Sequence, residues 1–216
     1  MKYIIFSPPY QSSSGGVRAL YELQKHLIRA GEDAIVVNSF IGTFDEDDIA
    51  VYPEVQGGNL AGLKKVIRWV LYYPGQNGGD KEFDKAEKIV TWSKQYYDAP
   101  VLAVPIFEPF FKNEGLKREF DAYWAGRGND TGYRPSLNYK NLTYDWPKTR
   151  KELAELLNKT KTLYVFSNSA LIYEAQLCGC DVKFINPDNA IIDIPFKPIF
   201  ENFEEQFKEF LKLHKD

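Results

Sequence analysis

Sulfur is scarce in this chain, with two cysteines and one methionine, and histidine too occurs only twice. Cys178 and Cys180 are separated by Gly179 alone. Partners that close do not suit a structural disulfide, and no second cysteine pair or histidine cluster completes a zinc site. A reduced, cytoplasmic protein is expected. An excess of one charge sign is also missing. The chain has 27 Lys and Arg against 30 Asp and Glu, a formal net charge of −3, and no segment carries a basic stripe. That balance argues against a nucleic-acid partner. Long apolar runs are lacking as well, since a membrane-spanning helix needs about 18 to 20 apolar residues. The nearest run, Val66-Ile67-Arg68-Trp69-Val70-Leu71-Tyr72-Tyr73, carries an arginine and reads as a strand. Met1-Lys2 leads directly into Tyr3-Ile4-Ile5-Phe6 and then Ser7-Pro8-Pro9, too short a run for the core of a signal peptide. Neither GxGxxG nor a Walker loop is present.

Aromatic side chains are plentiful, at 15% of 216 residues, in a chain that is 44% apolar and 26% charged. The overall balance is that of a folded protein, and the length fits one compact domain or two of about 100 residues each. Aromatic excess usually goes to the core, but in a cleft the same rings stack on bases or sugars.

Residues 3–6 form an uninterrupted apolar run, as a central parallel strand would. A serine-rich loop reaches Gly16. A helix then covers about 17–30, with Val17, Leu20, Tyr21, Leu27 and Ile28 on one face and Gly31 as its stop. Strands are expected at 34–37, 49–52, 66–71 and 89–92. The segment Pro105-Ile106-Phe107-Glu108-Pro109 links this set to a second one. The second set has strands at 122–125 and 142–144, a helix at 149–157, a strand at 162–166 and the polar turn Ser167-Asn168-Ser169. A helix at 170–178, a stop at Gly179 and a strand at 182–185 follow. Residues 202–213 read as an amphipathic helix with Phe203, Phe207, Phe210 and Leu211 on one side. The alternation predicts an α/β protein of two small Rossmann-like, doubly wound domains, 1–107 and 108–199, with a C-terminal helix over 200–216.

In such sheets ligands bind beyond the carboxyl ends of the strands, and three segments are expected there. In Ser12-Ser13-Ser14-Gly15-Gly16, glycine permits close backbone approach and a helix N-terminus follows; alone, such a start is more often a turn. In Gly126-Arg127-Gly128 a cation stands between glycines after a strand, a credible phosphate clamp, although an exposed Arg is usually solvated. In Ser167-Asn168-Ser169, ordinary N-caps precede the helix that bears Glu174. Glu174 lies among Leu171, Ile172, Tyr173, Ala175 and Leu177, where an unpaired buried carboxylate costs several kcal/mol. Two readings stay open: a sheltered acid that accepts ribose hydroxyls, or a surface glutamate on a polar side shared with Gln176.

Gly15-Gly16-Val17-Arg18, Ala125-Gly126-Arg127-Gly128 and Glu174-Ala175 with Gly179 and Val182, in that order along nearly the whole chain, resemble the GT-B glycosyltransferases. The similarity is to the retaining, glycogen-synthase-like branch. Tyr52-Pro53-Glu54, Ile67 to Leu71 and Tyr73-Pro74-Gly75 resemble a smaller subgroup found in surface-polysaccharide clusters. The resemblance implies a GT-B-like arrangement with the first domain on the acceptor side. It implies sugar transfer from a nucleotide-diphosphate-sugar donor to a saccharide or lipid-linked acceptor in the interdomain cleft, with no metal or other cofactor, and it allows peripheral membrane contact. By that resemblance Gly15 and Gly16 face the donor phosphates, Arg127 neutralises the leaving diphosphate, and Ser169 with the helix N-terminus holds the distal phosphate. Glu174 binds the ribose, and Tyr144, Asp145 and Trp146 lie beside the base. Phe166 and Asn168 stand where relatives carry acids, which motivates a second reading, a catalytically silent domain that binds a nucleotide or sugar. Tyr21 with Lys25 and Tyr144 with Lys148 have the spacing of a nicotinamide-dependent epimerase, but its glycine fingerprint is missing.

Overall fold

The computed structural model describes residues 1–39, 42–126, 139–167, 169–186, 188–194, 200 and 202–214. The chain divides into two compact units, Met1–Ile106 with Pro198–Asp216, and Phe107–Lys197.

The first unit holds a five-stranded sheet of β1 (Tyr3–Phe6), β2 (Ala34–Val37), β3 (Ile49–Pro53), β4 (Lys65–Val70) and β5 (Lys88–Thr91). Its order is β2-β1-β3-β4-β5 and every pairing is parallel, with Tyr3 opposite Ala34 on one side and Ile49 on the other. Parallel strands covered on both faces lose the alternation of an exposed sheet. Accordingly, every residue of β1 and β3 is buried. Helix α1 (Gly15–Arg29) joins β1 to β2. It starts two residues earlier than expected because Ser14 is its N-cap and accepts the Val17 N–H. Leu20, Leu23 and Leu27 face inward, whereas Ile28, expected on that face, is exposed.

The expected alternation of strand and helix holds only in part. Residues 54–64 and 71–87 connect β3 to β4 and β4 to β5 without a helix. Arg68, the charge inside the apolar run, organises these connections. Its buried guanidinium pairs twice with Glu87, at 2.7 and 2.8 Å. It also donates to the carbonyls of Gln56 and Gly58 and lies over the rings of Tyr52 and Phe83. A buried cation is tolerated when it is this fully bonded. A further helix of this unit (Phe203–Phe210) buries Phe203, Phe207 and Phe210. The Phe210 ring stacks on Tyr3 with centroids 6.0 Å apart.

The second unit contains β6 (Phe120–Trp124), β7 (Lys140–Leu142), helix α2 (Arg150–Lys159), β8 (Thr160–Val165), helix α3 (Ala170–Leu177), β9 (Asp181–Ile185) and β10 (Ile191–Asp193); the Phe203–Phe210 helix of the first unit is α4. The sheet order is β10-β9-β8-β6-β7. All pairings are parallel except that of β10, which runs antiparallel along the edge of β9. Ala122, Trp124, Leu157, Leu163, Val165, Ala175 and Val182 are among its core residues. Counted from the first strand of each unit, both sheets have the order 2-1-3-4-5. The chain reverses direction of growth between strands one and three, β1 and β3 in one unit, β6 and β8 in the other.

Candidate functional site

In an open α/β sheet that reversal point is where a ligand seat forms, beyond the carboxyl ends of the two strands. In the second unit β6 ends at Trp124. The β8 path continues through Phe166, whose N–H bonds to the Trp124 carbonyl at 3.2 Å. Gly126 follows with φ of 72°. A Cβ there would fall 1.9 Å from Ser167 Oγ and 3.6 Å from Trp124 Nε1. Glycine therefore lets the exit of β6 lie directly against the exit of β8, bringing Trp124, Gly126 and Ser167 together.

Ser169 is the N-cap of α3 and has the extended backbone that position requires, but its side chain makes no capping bond. Its Oγ is buried without a hydrogen-bond partner, and so is Trp124 Nε1. Trp124 is 9% exposed, and a buried indole N–H ordinarily finds an acceptor. Each buried polar atom left unpaired costs about 1–3 kcal/mol. Two such atoms beside a helix N-terminus make a set of neutral donors suited to an anionic oxygen. The half-exposed ring of Tyr144 packs edge-on against Trp124, with centroids 4.9 Å apart.

Glu174 lies on α3 and is 1% exposed, so the surface reading is set aside. It is not an acid standing open to a ligand either. Arg150 Nη1 and Nη2 bond its two oxygens at 3.0 and 2.6 Å. The same guanidinium bonds Glu108 at 3.2 and 2.9 Å and lies 4.5 Å over the Phe111 ring. Burial pulls the Arg150 pKa down, but the Glu174 and Glu108 carboxylates outweigh that and hold it above its ordinary value. Arg150 is the first residue of α2, placed by a capping box between Thr149 and Glu152. Buried Cys178 and Cys180 are both pushed up to about 12, chiefly by burial, so they are inert thiols rather than nucleophiles.

The remaining expected residues are scattered. Gly15 and Gly16 open α1 in the first unit. A Cβ on Gly16 would meet Leu71 at an ordinary 3.6 Å, so space does not demand glycine there. The Ser14 cap already takes the Val17 N–H. Asp145 and Trp146 lie in a turn in which both their amides bond Thr143 Oγ1, at 3.2 and 3.0 Å, and both side chains are exposed. Of that stretch only Tyr144 reaches Trp124. Arg127, Gly128 and Asn168 lie outside the described residues. Trp124 itself was not anticipated. The available signal was an aromatic with a polar edge at the carboxyl end of the first strand of the second set.

Among the described residues no group of three or more His, Cys, Asp or Glu side chains is arranged to hold a metal ion. No helix among them is long and apolar enough to cross a membrane. Compared with protein-family models, curated proteins and solved structures, the chain matches none. The fold and site thus define an α/β protein of two mostly parallel-sheet units, the second with unpartnered buried donors near its strand-reversal point.

Proposed function

We propose that the protein is a nucleotide-sugar-dependent glycosyltransferase whose second unit holds the donor by its diphosphate. The observation that carries this is two unpartnered buried donors, Ser169 Oγ at the N-terminus of α3 and Trp124 Nε1 at the end of β6. In sugar transfer the leaving group is an anionic diphosphate. Fixed N–H and O–H donors and a helix dipole stabilise the charge it gains in the transition state. Tyr144, half-exposed against Trp124, is placed to support the base. Glu174, buried and bonded through both oxygens to Arg150, would serve the donor seat by holding Arg150 at the start of α2. The first unit would serve the acceptor, a saccharide or lipid-linked sugar.

Calorimetric titration with uridine and guanosine diphosphates tests the donor seat. Trp124→Phe removes the N–H and keeps an aromatic ring, and Ser169→Ala removes the hydroxyl. Each is expected to weaken binding by about ten- to a hundredfold, the worth of one hydrogen bond to a charged acceptor. Failure of both nucleotides to bind the unaltered protein sinks the reading.

The silent-domain reading has one observation in its favour. Phe166, at a position where the resembled family carries an acid, is buried. Diphosphate binding without consumption of any nucleotide-sugar would select it.

A further inference from the structure

We propose that the folded chain modifies itself at Asn77, losing the side-chain carboxamide as ammonia and gaining a carboxylate, with water as the only co-reactant. Asn77-Gly78 is the one Asn-Gly pair in the sequence. It stands in the helix-free connection between β4 and β5, and both residues are exposed. The reaction needs the backbone nitrogen of the following residue to reach the side-chain carbonyl carbon of the asparagine. A side chain on that following residue obstructs the approach, and glycine has none. Gly78 holds φ at 99°, where other residues are strained, and a Cβ there would have only the Val55 carbonyl near it, at 3.8 Å. The Gly78 N–H makes no hydrogen bond among the described residues, so none has to break before it attacks.

In the first step the Gly78 nitrogen gives up its proton and bonds to Asn77 Cγ. The carboxamide C–N bond breaks, and its nitrogen leaves with that proton as ammonia. One water then opens the five-membered imide. Attack at the side-chain carbonyl leaves aspartate at position 77. Attack at the main-chain carbonyl leaves isoaspartate, in which the chain reaches Gly78 through Cβ and Cγ. No oxidant or reductant takes part, and either product adds one negative charge to the net −3 of the chain.

The two products differ in what they do to the fold. The turn that carries Asn77 is docked on residues 54–58. Gly79, at φ 72°, lies so close to them that a Cβ would run into the Glu54 carbonyl. Asp80 Oδ2 accepts the Gly58 N–H at 2.8 Å. Arg68 holds the same stretch through the carbonyls of Gln56 and Gly58. Isoaspartate adds one C–C bond, about 1.5 Å of path, to the main chain just before Gly78. The close fit of Gly79 and the reach of Asp80 are then both out of register, and the turn comes away from residues 54–58. Aspartate keeps the chain length and leaves the turn docked.

Mass spectrometry tests the site on the full chain. The protein is held folded in warm, mildly alkaline buffer, sampled over weeks, then unfolded and digested with trypsin. Cleavage after Arg68 and Lys81 isolates Asn77 as the sole asparagine of its peptide. That asparagine is expected to be lost in favour of two acidic products. Asn113 and Asn189, also exposed but followed by Glu and Ala, should stay intact over the same time. The thermal midpoint of the aged protein should fall below that of Asn77→Asp, which carries the charge on an unlengthened backbone. Asn77→Gln, whose extra methylene disfavours the ring, should keep its midpoint when aged in parallel. The proposal is overturned if Asn77 is converted no faster than Asn113 and Asn189, if it is converted only in urea-unfolded chain, or if aged protein and Asn77→Asp melt alike.

Discussion

A methyl group on Gly126 would lie 1.9 Å from Ser167 Oγ on a backbone at φ 72°, so this glycine meets two constraints at once. Gly31, at φ 86°, has nothing within 4 Å of the same added atom and meets only one. Gly126→Ala is therefore expected to lower the unfolding free energy by about 2–3 kcal/mol, and Gly31→Ala by about 1 kcal/mol. Urea denaturation measures both, and equal losses would show that the clash is relieved without cost. Arg150 gives a second contrast. It stands between Glu174 and Glu108, so Arg150→Met takes a shared cation from two carboxylates, whereas Glu174→Gln leaves the guanidinium paired with Glu108. The first is expected to cost about 3–5 kcal/mol and the second clearly less; comparable denaturation midpoints would contradict this. The burial of Glu174 was not legible from α3 alone. Ala170, Leu171, Ile172, Tyr173 and Leu177 make that helix largely apolar, but Gln176 beside Glu174 left a polar side as an equal reading. Its partner comes from Arg150, on another helix, which no local pattern reveals.

At the level of elements, the packing of α4 on α1 carries a pH dependence. The His26 ring on α1 meets Phe203 edge-on at 4.6 Å and Phe207 at 6.0 Å. Burial first, and then Arg29, lower the pKa of His26 below its ordinary 6.5; Lys25 acts the same way, and Glu22 and Glu204 oppose them. A lowered folded-state pKa means that the unfolded chain binds the proton more readily. The contribution is then fully present above about pH 6.5 and is lost as pH falls through the folded value. The thermal midpoint of the unaltered protein should drop more steeply between pH 7 and 5 than that of His26→Gln, and parallel curves would refute the assignment. Elements buried on both faces were legible. Tyr3-Ile4-Ile5-Phe6 announces β1 because nothing polar interrupts it, and Gly31 marks the end of α1, whose start after Ser14 was expected two residues later. The three residues of β10 were not legible, since Ile191 and Ile192 are both exposed and so short a segment has no period to read. The helix-free connections around β4 were missed for another reason. What holds them is the single side chain Arg68, which in sequence looks like an intrusion into a strand.

For the whole molecule, the sequence indicated an α/β chain built from two parallel-sheet sets. The shared 2-1-3-4-5 order could not be read from it, because order depends on which side each crossover takes and no residue encodes that locally. Once the order is known, the carboxyl ends of strands one and three in each unit mark where groups from separate strands meet, as Trp124 and Ser167 do in the second. Gly15 and Gly16, expected to face phosphate, open a helix whose start Ser14 caps. The cysteines lead to a different consequence. Both thiols of the chain, Cys178 and Cys180, are buried in the second unit and stay protonated. While that unit is closed, the folded chain offers no thiolate to electrophiles or oxidants, so thiol chemistry on this protein reports the opening of one half and is blind to the other.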